Sequence, residues 1–205
     1  MLADLAVESE AATLLMIRLA RAFDGRGADA EERAFCRIAT AISKYWLCKR
    51  APVHVGEALE CLGGNGYVEE SIMPRLHREA PLYSIWEGSG NVIALDVLRA
   101  LAREPVAAEA VLAEVDAAAG GDARLDAAAK QLRADLAHPL PEALGRQVAT
   151  RLALALQGSL LVRYAPAAVA DAFCATRLGP DGPAGVFGLG VPSAAALVDR
   201  AAPTR

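Results

Sequence analysis

The residues that could bind a ligand and move a proton are concentrated in two short stretches of this chain. The first, called here the glycine turn, is residues 63–67 with the sequence GGNGY. The second, called the Glu87 turn, is residues 84–91 with the sequence SIWEGSGN. Each lies where a helical pattern stops or starts. Gly63 and Gly64 permit left-handed backbone and the close approach of another group.

Glu87 stands at the entrance of the helix that is predicted to follow the Glu87 turn. Ser89 is a suitable N-cap, and the small residues around it leave the first amides of that helix open to phosphate or another anion. The helix dipole favours a charged carboxylate, whereas an apolar pocket beside Trp86 favours the neutral acid, and a carboxyl group balanced in this way suits a general base. Ordinary turns and caps of a helical protein use the same residues, so the residues alone leave both interpretations open.

The order and spacing of the two turns resemble the C-terminal helical domain of the acyl-CoA dehydrogenases. That family has a Gly-Gly-x-Gly-aromatic turn followed by an aromatic-Glu-Gly-Thr/Ser turn, as in LGGNGY at 62–67 and WEGSGN at 86–91. The segments 69–71, 74–80 and 95–99 fit as well, and the alkylation-response branch is the most similar. The resemblance is strong over residues 1–103 and weaker over residues 104–205.

The resemblance implies a role for each candidate site residue, with an acyl-CoA thioester as substrate and FAD as cofactor. Glu87 matches the base that removes the α-proton of the thioester. The remaining matches are the thioester pocket at Trp86 and Gly88, flavin contacts at Ser89 and Asn91, and, at Glu60, Gly63 and Gly64, contacts to FAD held mainly by a neighbouring subunit. The last set implies a homo-oligomer. Many family members have Gln at positions 60 and 91, and a carboxylate at Glu60 repels a pyrophosphate unless it meets a hydroxyl or an amide.

Composition predicts an all-α protein. Of the 205 residues, 54% are hydrophobic, many of them Ala, and only 5% are aromatic, which favours helices. We expect an acyl-CoA dehydrogenase C-terminal-type bundle over 1–103, incomplete at its N-terminus, and a helical extension over 104–205. The first helix, Met1 to Phe23, is predicted to be amphipathic, with one apolar stripe: Leu2, Leu5, Ser9, Ala12, Met16, Leu19 and Phe23. The first helices are expected to expose apolar faces, which favours self-association. Because the resemblance places much of the flavin site in earlier domains, we expect the isolated chain to bind FAD poorly and to be inactive.

Charge and cysteine content argue against several other functions. The net charge is −4, and each part, 1–103 and 104–205, carries −2, which disfavours DNA binding. A basic face could still form if these side chains converge: Arg124, Lys130, Arg133, Arg146, Arg151 and Arg163. The four cysteines form no C-x-x-C pair and no metal cluster with the histidines, so free thiols in a reducing cytoplasm are expected. The longest apolar run is too short to cross a membrane.

Three functions remain open from the sequence. The first is part of a flavin-dependent oxidoreductase of fatty acid metabolism, the second a DNA-binding segment of an alkylation-response flavoprotein, and the third a non-catalytic helical interaction module. Some smaller predictions accompany them. Lys44, Lys49 and Arg50 either contact a phosphate or form a solvated helix face. Arg75 and Arg78 either reach a phosphate of CoA or FAD or pair with Glu69, Glu70 or Glu79. Arg99 either faces the pocket or, more simply, pairs with Asp96.

Overall fold

The structure, a computed structural model, describes residues 1–179 and 186–203. These residues form α-helices and 3₁₀ helices and no β-strand, which confirms the all-α prediction. The α-helices are α1 Leu2–Gly25, α2 Ala30–Cys61, α3 Gly64–Tyr67, α4 Met73–Glu79, α5 Gly90–Arg103, α6 Pro105–Asp116, α7 Ala123–Leu136, α8 Gly145–Tyr164, α9 Ala167–Arg177 and α10 Ala194–Ala201. The 3₁₀ helices are Ala80–Ser84 and Glu142–Leu144. None of the described helices is long and apolar enough to span a membrane.

Side-chain caps set the starts of α2 and α7. The Asp29 carboxylate accepts hydrogen bonds from the amides of Glu31 and Glu32 at 2.8 and 3.3 Å and so caps α2. Asp122 caps α7 in the same way. Both are predicted N-caps, because Asp satisfies amides that a helix start leaves free. Pro105 and the pair Gly120-Gly121 predict a helix from Pro105 through Ala119. α6 instead ends at Asp116, because the chain already turns before Gly120, whose φ is 80°.

The hydrophobic core is continuous across Arg103, the residue at which α5 ends. α8 lies at its centre, packed against α1, α2, α5, α6, α7 and α9, and all its residues from 152 to 161 are buried. Phe35 and Ile38 of α2 and Leu152 and Leu156 of α8 belong to the same buried cluster. The helices after Arg103 therefore share one core with those before it, while the division into 1–103 and 104–205 stays a prediction.

The apolar stripe that the sequence marks on α1 is for the most part not the face that packs into the core, although Leu5 is buried. Met16 and Phe23, two of its members, are 57% and 41% exposed. The face that packs instead is made of small and aliphatic residues together with two acids: Ala3, Asp4, Val7, Glu8, Ala11, Leu15 and Ala22. α1 carries two apolar stripes, and the sequence does not show that Asp4 and Glu8 have partners that allow their burial.

Those partners are arginines from distant parts of the chain. Arg177 of α9 donates to Asp4 at 2.5 Å and to Glu8 at 2.9 Å, and Arg50 of α2 donates to Glu8 at 3.0 Å. The amide of Gly188 donates to Asp4 at 2.6 Å. This ionic cluster joins α1, α2, α9 and the segment 186–190. The density of Gly and Pro predicts an irregular arm from Gly179 to Gly190, and residues 186–190 are irregular. The rest of the predicted irregular arm, residues 180–185, lies outside the described residues.

Candidate functional site

The two turns lie at different positions along α2. The glycine turn follows directly after Cys61, the last residue of α2, whereas the Glu87 turn lies beside Lys44, whose ammonium contacts it. The stretch of α2 from Lys44 to Cys61 is roughly 25 Å long at the rise of an α-helix. The structure therefore does not bring the predicted site residues 60, 63 and 64 together with 86–91 within one copy of the chain.

Two of the three glycines in the glycine turn are required by the backbone. Gly63 has φ 57° and ψ −140°, a conformation that only glycine adopts readily. A Cβ at Gly66 would collide with the carbonyl oxygen of Leu59, but one at Gly64 would meet no atom within 4 Å. Gly64 is therefore open to an approaching group and is not needed by the fold. The sequence analysis did not single out Gly66, although its place in the motif was a signal.

The Glu87 turn begins where the 3₁₀ helix Ala80–Ser84 ends. The amides of Ile85 and Trp86 donate to the Leu82 carbonyl at 2.9 and 3.2 Å. Glu87 then has φ 56° and Gly88 φ 101°, so two successive residues have left-handed backbone. The Glu87 carboxylate is exposed and makes no hydrogen bond to any described residue, and Trp86 is 53% exposed. Within the described chain, the apolar pocket expected around Glu87 is not formed.

The start of α5 presents open polar groups next to Glu87. Ser89 occupies the N-cap position as predicted, but its side chain makes no capping hydrogen bond. The amides of Gly90, Asn91 and Val92 find no acceptor in the described part of the chain, and the first backbone bond runs from the Ile93 amide to the Ser89 carbonyl at 3.0 Å. Ser89 and Asn91 are exposed. Free amides, a hydroxyl and a carboxamide at a helix N-terminus can bind the polar edge of a ligand.

Lys44 is the residue at this site whose role the sequence analysis missed. Its ammonium donates to the carbonyl oxygens of Tyr83, Trp86 and Gly88 at 2.7, 2.8 and 3.1 Å. Neither predicted role, a phosphate contact or a solvated face, describes a lysine bonded in this way. No local signal marks it, because the carbonyls belong to a turn far along the sequence.

Other charged residues near the turns are ion-paired with one another. Arg75 pairs with Glu79 at 2.9 Å and Arg78 with Glu69 at 2.6 Å, as predicted. The predicted pair of Arg99 with Asp96 is wrong, because Asp96 pairs with Arg37 at 3.1 Å. Arg37 lies in α2, against which α5 packs, so a contact between helices replaces the expected contact within one helix.

Comparison with known proteins shows what this chain is similar to. Residues 1–102 match the family described as "Acyl-CoA dehydrogenase, C-terminal domain". AidB of Escherichia coli (strain K12), a provisionally named acyl-CoA dehydrogenase, is 42% identical over 177 residues, which are 86% of this chain and 32% of AidB. Acyl-CoA dehydrogenase family member 11 of Caenorhabditis elegans is 38% identical over 102 residues, which are 48% of this chain and 16% of that protein.

Solved structures agree with the sequence relatives. Caenorhabditis elegans ACDH-11 in complex with C11-CoA has a TM-score of 0.70 at 27% identity, with 86% of this chain and 34% of that chain covered. The apo form of Bd2924 has a TM-score of 0.64 at 28% identity, with 77% and 32% covered. This chain spans no more than about a third of the length of these proteins. By the match of residues 1–102, the chain belongs to the acyl-CoA dehydrogenase family.

Proposed function

We propose that this chain is the C-terminal part of a flavin-dependent acyl-CoA dehydrogenase, with Glu87 as the base that removes the α-proton of an acyl-CoA thioester. The observation that carries the proposal is the backbone of Glu87. A glutamate with φ 56° stands exposed at an open helix N-terminus, within a domain of this family. Left-handed backbone at a residue other than glycine is unfavourable and is concentrated at functional sites.

The residues of the Glu87 turn divide the chemistry among them. The Glu87 carboxylate has no ion-pair partner among the described residues, so its charge is free to accept a proton from the α-carbon. Trp86 and Gly88 flank it and are assigned to the thioester. Bound FAD supplies the acceptor for the hydride that leaves the β-carbon. Loss of a proton and a hydride from adjacent carbons leaves the α,β-unsaturated thioester.

The polar groups of two separate surfaces fit FAD. The Ser89 hydroxyl, the Asn91 carboxamide and the free amides of α5 are unoccupied donors and acceptors. At the glycine turn, Gly63 and Gly64 expose backbone with no atom near the Cβ positions. Glu60 is exposed there, and its carboxylate suits a hydroxyl or an amide of the cofactor better than the pyrophosphate.

The distance between these surfaces supports a homo-oligomer. Roughly 25 Å of α2 separates the glycine turn from the Glu87 turn, so each surface is assigned to a flavin of a different copy of the chain. Apolar side chains are exposed near both turns, among them Tyr67 at 78%, Ile72 at 64% and Ile85 at 63%. One copy alone buries little of so large a cofactor, and we expect the isolated chain to retain FAD poorly.

The basic residues of the extension support this function over DNA binding. Four of the five arginines expected to converge on a basic face are paired with acids of the same chain: Arg124 with Asp122 and Asp171, Arg133 with Asp116, Arg151 with Asp135, and Arg163 with Glu114. Arginines that are already paired with acids neutralise fewer phosphates, so that fewer counterions are released from the DNA. A sub-micromolar complex with duplex DNA at physiological salt, lost on changing Arg146 and Arg151 to Glu, would favour the DNA-binding alternative.

The test is reduction of bound flavin by a panel of acyl-CoAs in the protein that carries this segment. Glu87→Gln should slow reduction by about 10²–10⁴-fold, the usual contribution of a general base, and leave flavin content unchanged. Ser89→Ala combined with Asn91→Ala should lower flavin content first. Glu70→Gln removes an exposed carboxylate outside the site and serves as the control. Flavin reduction that survives Glu87→Gln places the base elsewhere, and its absence in the unaltered protein favours the interaction module.

A further inference from the structure

We propose that Lys44 is a positioning residue that holds the Glu87 carboxylate in its working place. The catalytic part of this role rests on the proposed function of Glu87. Lys44 lies on α2 and its ammonium bonds the carbonyl oxygens of Tyr83, Trp86 and Gly88.

The three bonds match the chemistry of the group that makes them. A lysine ammonium has three N–H donors and no acceptor, and each donor here has one carbonyl oxygen. Trp86 and Gly88 are the residues immediately before and after Glu87. One ammonium therefore fixes the backbone on both sides of Glu87 and ties it to the side of a long, partly buried helix.

The backbone of the Glu87 turn needs the stabilisation that these three hydrogen bonds provide. A left-handed backbone is unfavourable for a residue with a Cβ, and Glu87 has φ 56°. The end of the 3₁₀ helix also leaves carbonyl oxygens without amide partners, and a cation is favourable at the C-terminal end of a helix. Without the ammonium, these carbonyls would rotate toward water, the backbone of Glu87 would relax to negative φ, and its carboxylate would swing away.

Ile93 and Lys49 also contact the Glu87 turn, but they do so at its end. Ile93 packs under Gly88, where a Cβ would lie 3.1 Å from Ile93 Cγ1, and the stem of Lys49 covers Gly90. These contacts hold the start of α5 but bind none of the carbonyls beside Glu87. Within the described residues, Lys44 is the side chain that bonds the backbone on both sides of Glu87.

Amide hydrogen exchange of the 205-residue chain tests the tie without any catalytic readout. The amides of Ile85 and Trp86 are hydrogen-bonded inside the turn and report its opening. Lys44→Met keeps the apolar stem and removes the donors, so exchange at these two amides should rise about tenfold or more while the α8 core stays protected. Lys130→Met, which removes an exposed ammonium on α7, should change neither. Unchanged exchange at Ile85 and Trp86 in Lys44→Met would overturn the proposal.

Flavin reduction in the FAD-loaded protein tests the effect on Glu87. In Lys44→Met, the rate at saturating acyl-CoA should fall about tenfold or more, since small misplacements of a catalytic group are costly. Flavin content should stay within about twofold, because Ser89 and Asn91 lie beyond the carbonyl oxygens that Lys44 binds. The rate should fall by a larger factor than the half-saturating acyl-CoA concentration rises, because the displaced Glu87 carboxylate acts on the proton transfer. Lys44→Arg keeps the positive charge and the apolar stem, but the N–H donors of a planar guanidinium cannot all reach the three carbonyl oxygens that one ammonium binds. The rate of Lys44→Arg should therefore lie between that of the unaltered protein and that of Lys44→Met.

The outcomes separate this inference from the proposed function. A protein whose unaltered form does not reduce flavin contradicts the proposed function, and the exchange experiment then decides alone whether Lys44 holds the turn. A normal reduction rate in Lys44→Met, in a protein whose Glu87→Gln variant is slow, overturns the role of Lys44 and leaves that of Glu87 intact.

Discussion

Glu87 combines an unfavourable backbone with an exposed side chain, and these two facts can be tested separately from catalysis. Left-handed backbone costs a residue with a Cβ about 1–2 kcal/mol, and the carboxylate gains no contact with the described residues in return. Glu87→Gly should therefore leave the free energy of unfolding unchanged or raise it by up to about 1 kcal/mol. Glu87→Val should lower it by about 1–3 kcal/mol, because a β-branched side chain tolerates this backbone worst. Chemical denaturation measures both, and a large loss of stability in Glu87→Gly would contradict the strain argument.

The glycine turn offers a matched pair of substitutions. Gly66→Ala places a Cβ against the Leu59 carbonyl, whereas Gly64→Ala meets open space. Gly66→Ala should destabilise the chain by about 1–3 kcal/mol, as overpacking does, and Gly64→Ala by less than about 0.5 kcal/mol. If the glycine turn contacts FAD, Gly64→Ala should still lower flavin content in the assembled protein. Equal flavin retention by Gly64→Ala and the unaltered protein argues against that contact.

The cysteine thiols differ in reactivity because they differ in burial. Burial raises the pKa of Cys174 to about 12, with a further contribution from Asp122, and it raises the pKa of the half-buried Cys48 despite Lys44 nearby. Cys61 is exposed at the end of α2. Because the thiolate is the reactive form, a maleimide at pH 8 should modify Cys61 first and Cys174 only after unfolding. Mass spectrometry of the labelled peptides checks the order, and early labelling of Cys174 would contradict the packing around α9.

At the scale of elements, the sequence predicts what depends on neighbouring residues. Residues within a few positions of one another suffice to predict several features. These are the caps at Asp29 and Asp122, the end of α5 near Arg103, and the ion pairs of Arg75 and Arg78. The sequence does not predict which face of α1 is buried, because Asp4 and Glu8 are buried as partners of Arg50 and Arg177, and no local pattern connects these arginines to them. The role of Lys44 is not predicted for the same reason, since its three hydrogen-bond acceptors are backbone atoms of a turn that is distant in sequence.

The corrected face of α1 leads to a prediction. Leu15 is fully buried, whereas Met16, its neighbour, is 57% exposed. Leu15→Ala should cost about 2–5 kcal/mol through lost burial and a cavity, and Met16→Ala less than about 0.5 kcal/mol. Thermal or chemical unfolding of the two variants decides the matter. Similar losses in both would restore the stripe that the sequence suggested.

For the whole molecule, the ionic cluster at α1 adds a buried polar link between the helices before and after Arg103. Arg177 is 5% exposed at its side chain, and Asp4 and Glu8 are 2% and 6% exposed. Arg177→Met leaves these acids buried with less compensation and should destabilise the chain by about 3–5 kcal/mol. Arg200→Met breaks the exposed pair with Glu10 and should cost at most about 1 kcal/mol. A small effect of Arg177→Met on chemical denaturation would show that the cluster is dispensable.

The same region should make stability depend on pH. His54 packs edge-on against Phe187 at 5.7 Å between ring centroids, and burial lowers its pKa, although Glu8 and Asp4 act in the opposite direction and Arg50 adds to the lowering. The unfolded chain therefore binds a proton at His54 more readily than the folded chain. The contribution of His54 to the free energy of unfolding is therefore complete above about pH 6.5, the pKa of His in the unfolded chain, and it is lost as the pH drops below that value. His54→Gln should flatten unfolding profiles between pH 7.5 and 5.5, and an identical profile would contradict this assignment.

We expect the exposed apolar side chains of α1 to contribute to self-association. Ile17 is 53% exposed and Phe23 41% exposed, on a helix whose other side packs into the core. If this face contacts another copy, Ile17→Lys with Phe23→Lys should lower the mass measured by light scattering and leave the unfolding midpoint almost unchanged. A single monomeric species for the unaltered chain at high concentration would contradict the homo-oligomer.

The contact between Asp4 and Arg177 also has a consequence for how the chain folds as it is made. Synthesis proceeds at about 5–20 residues per second, so α1 exists for many seconds before α8 and α9 are available to cover Leu15 and neutralise Asp4 and Glu8. Such distant contacts slow folding, since loop-closure entropy must be overcome before they contribute stability. During that interval the apolar sides of α1, α2 and α5 that pack against α8 in the folded chain are exposed and can bind chaperones. The chain can reach its full stability only after α8 and α9 have been synthesised.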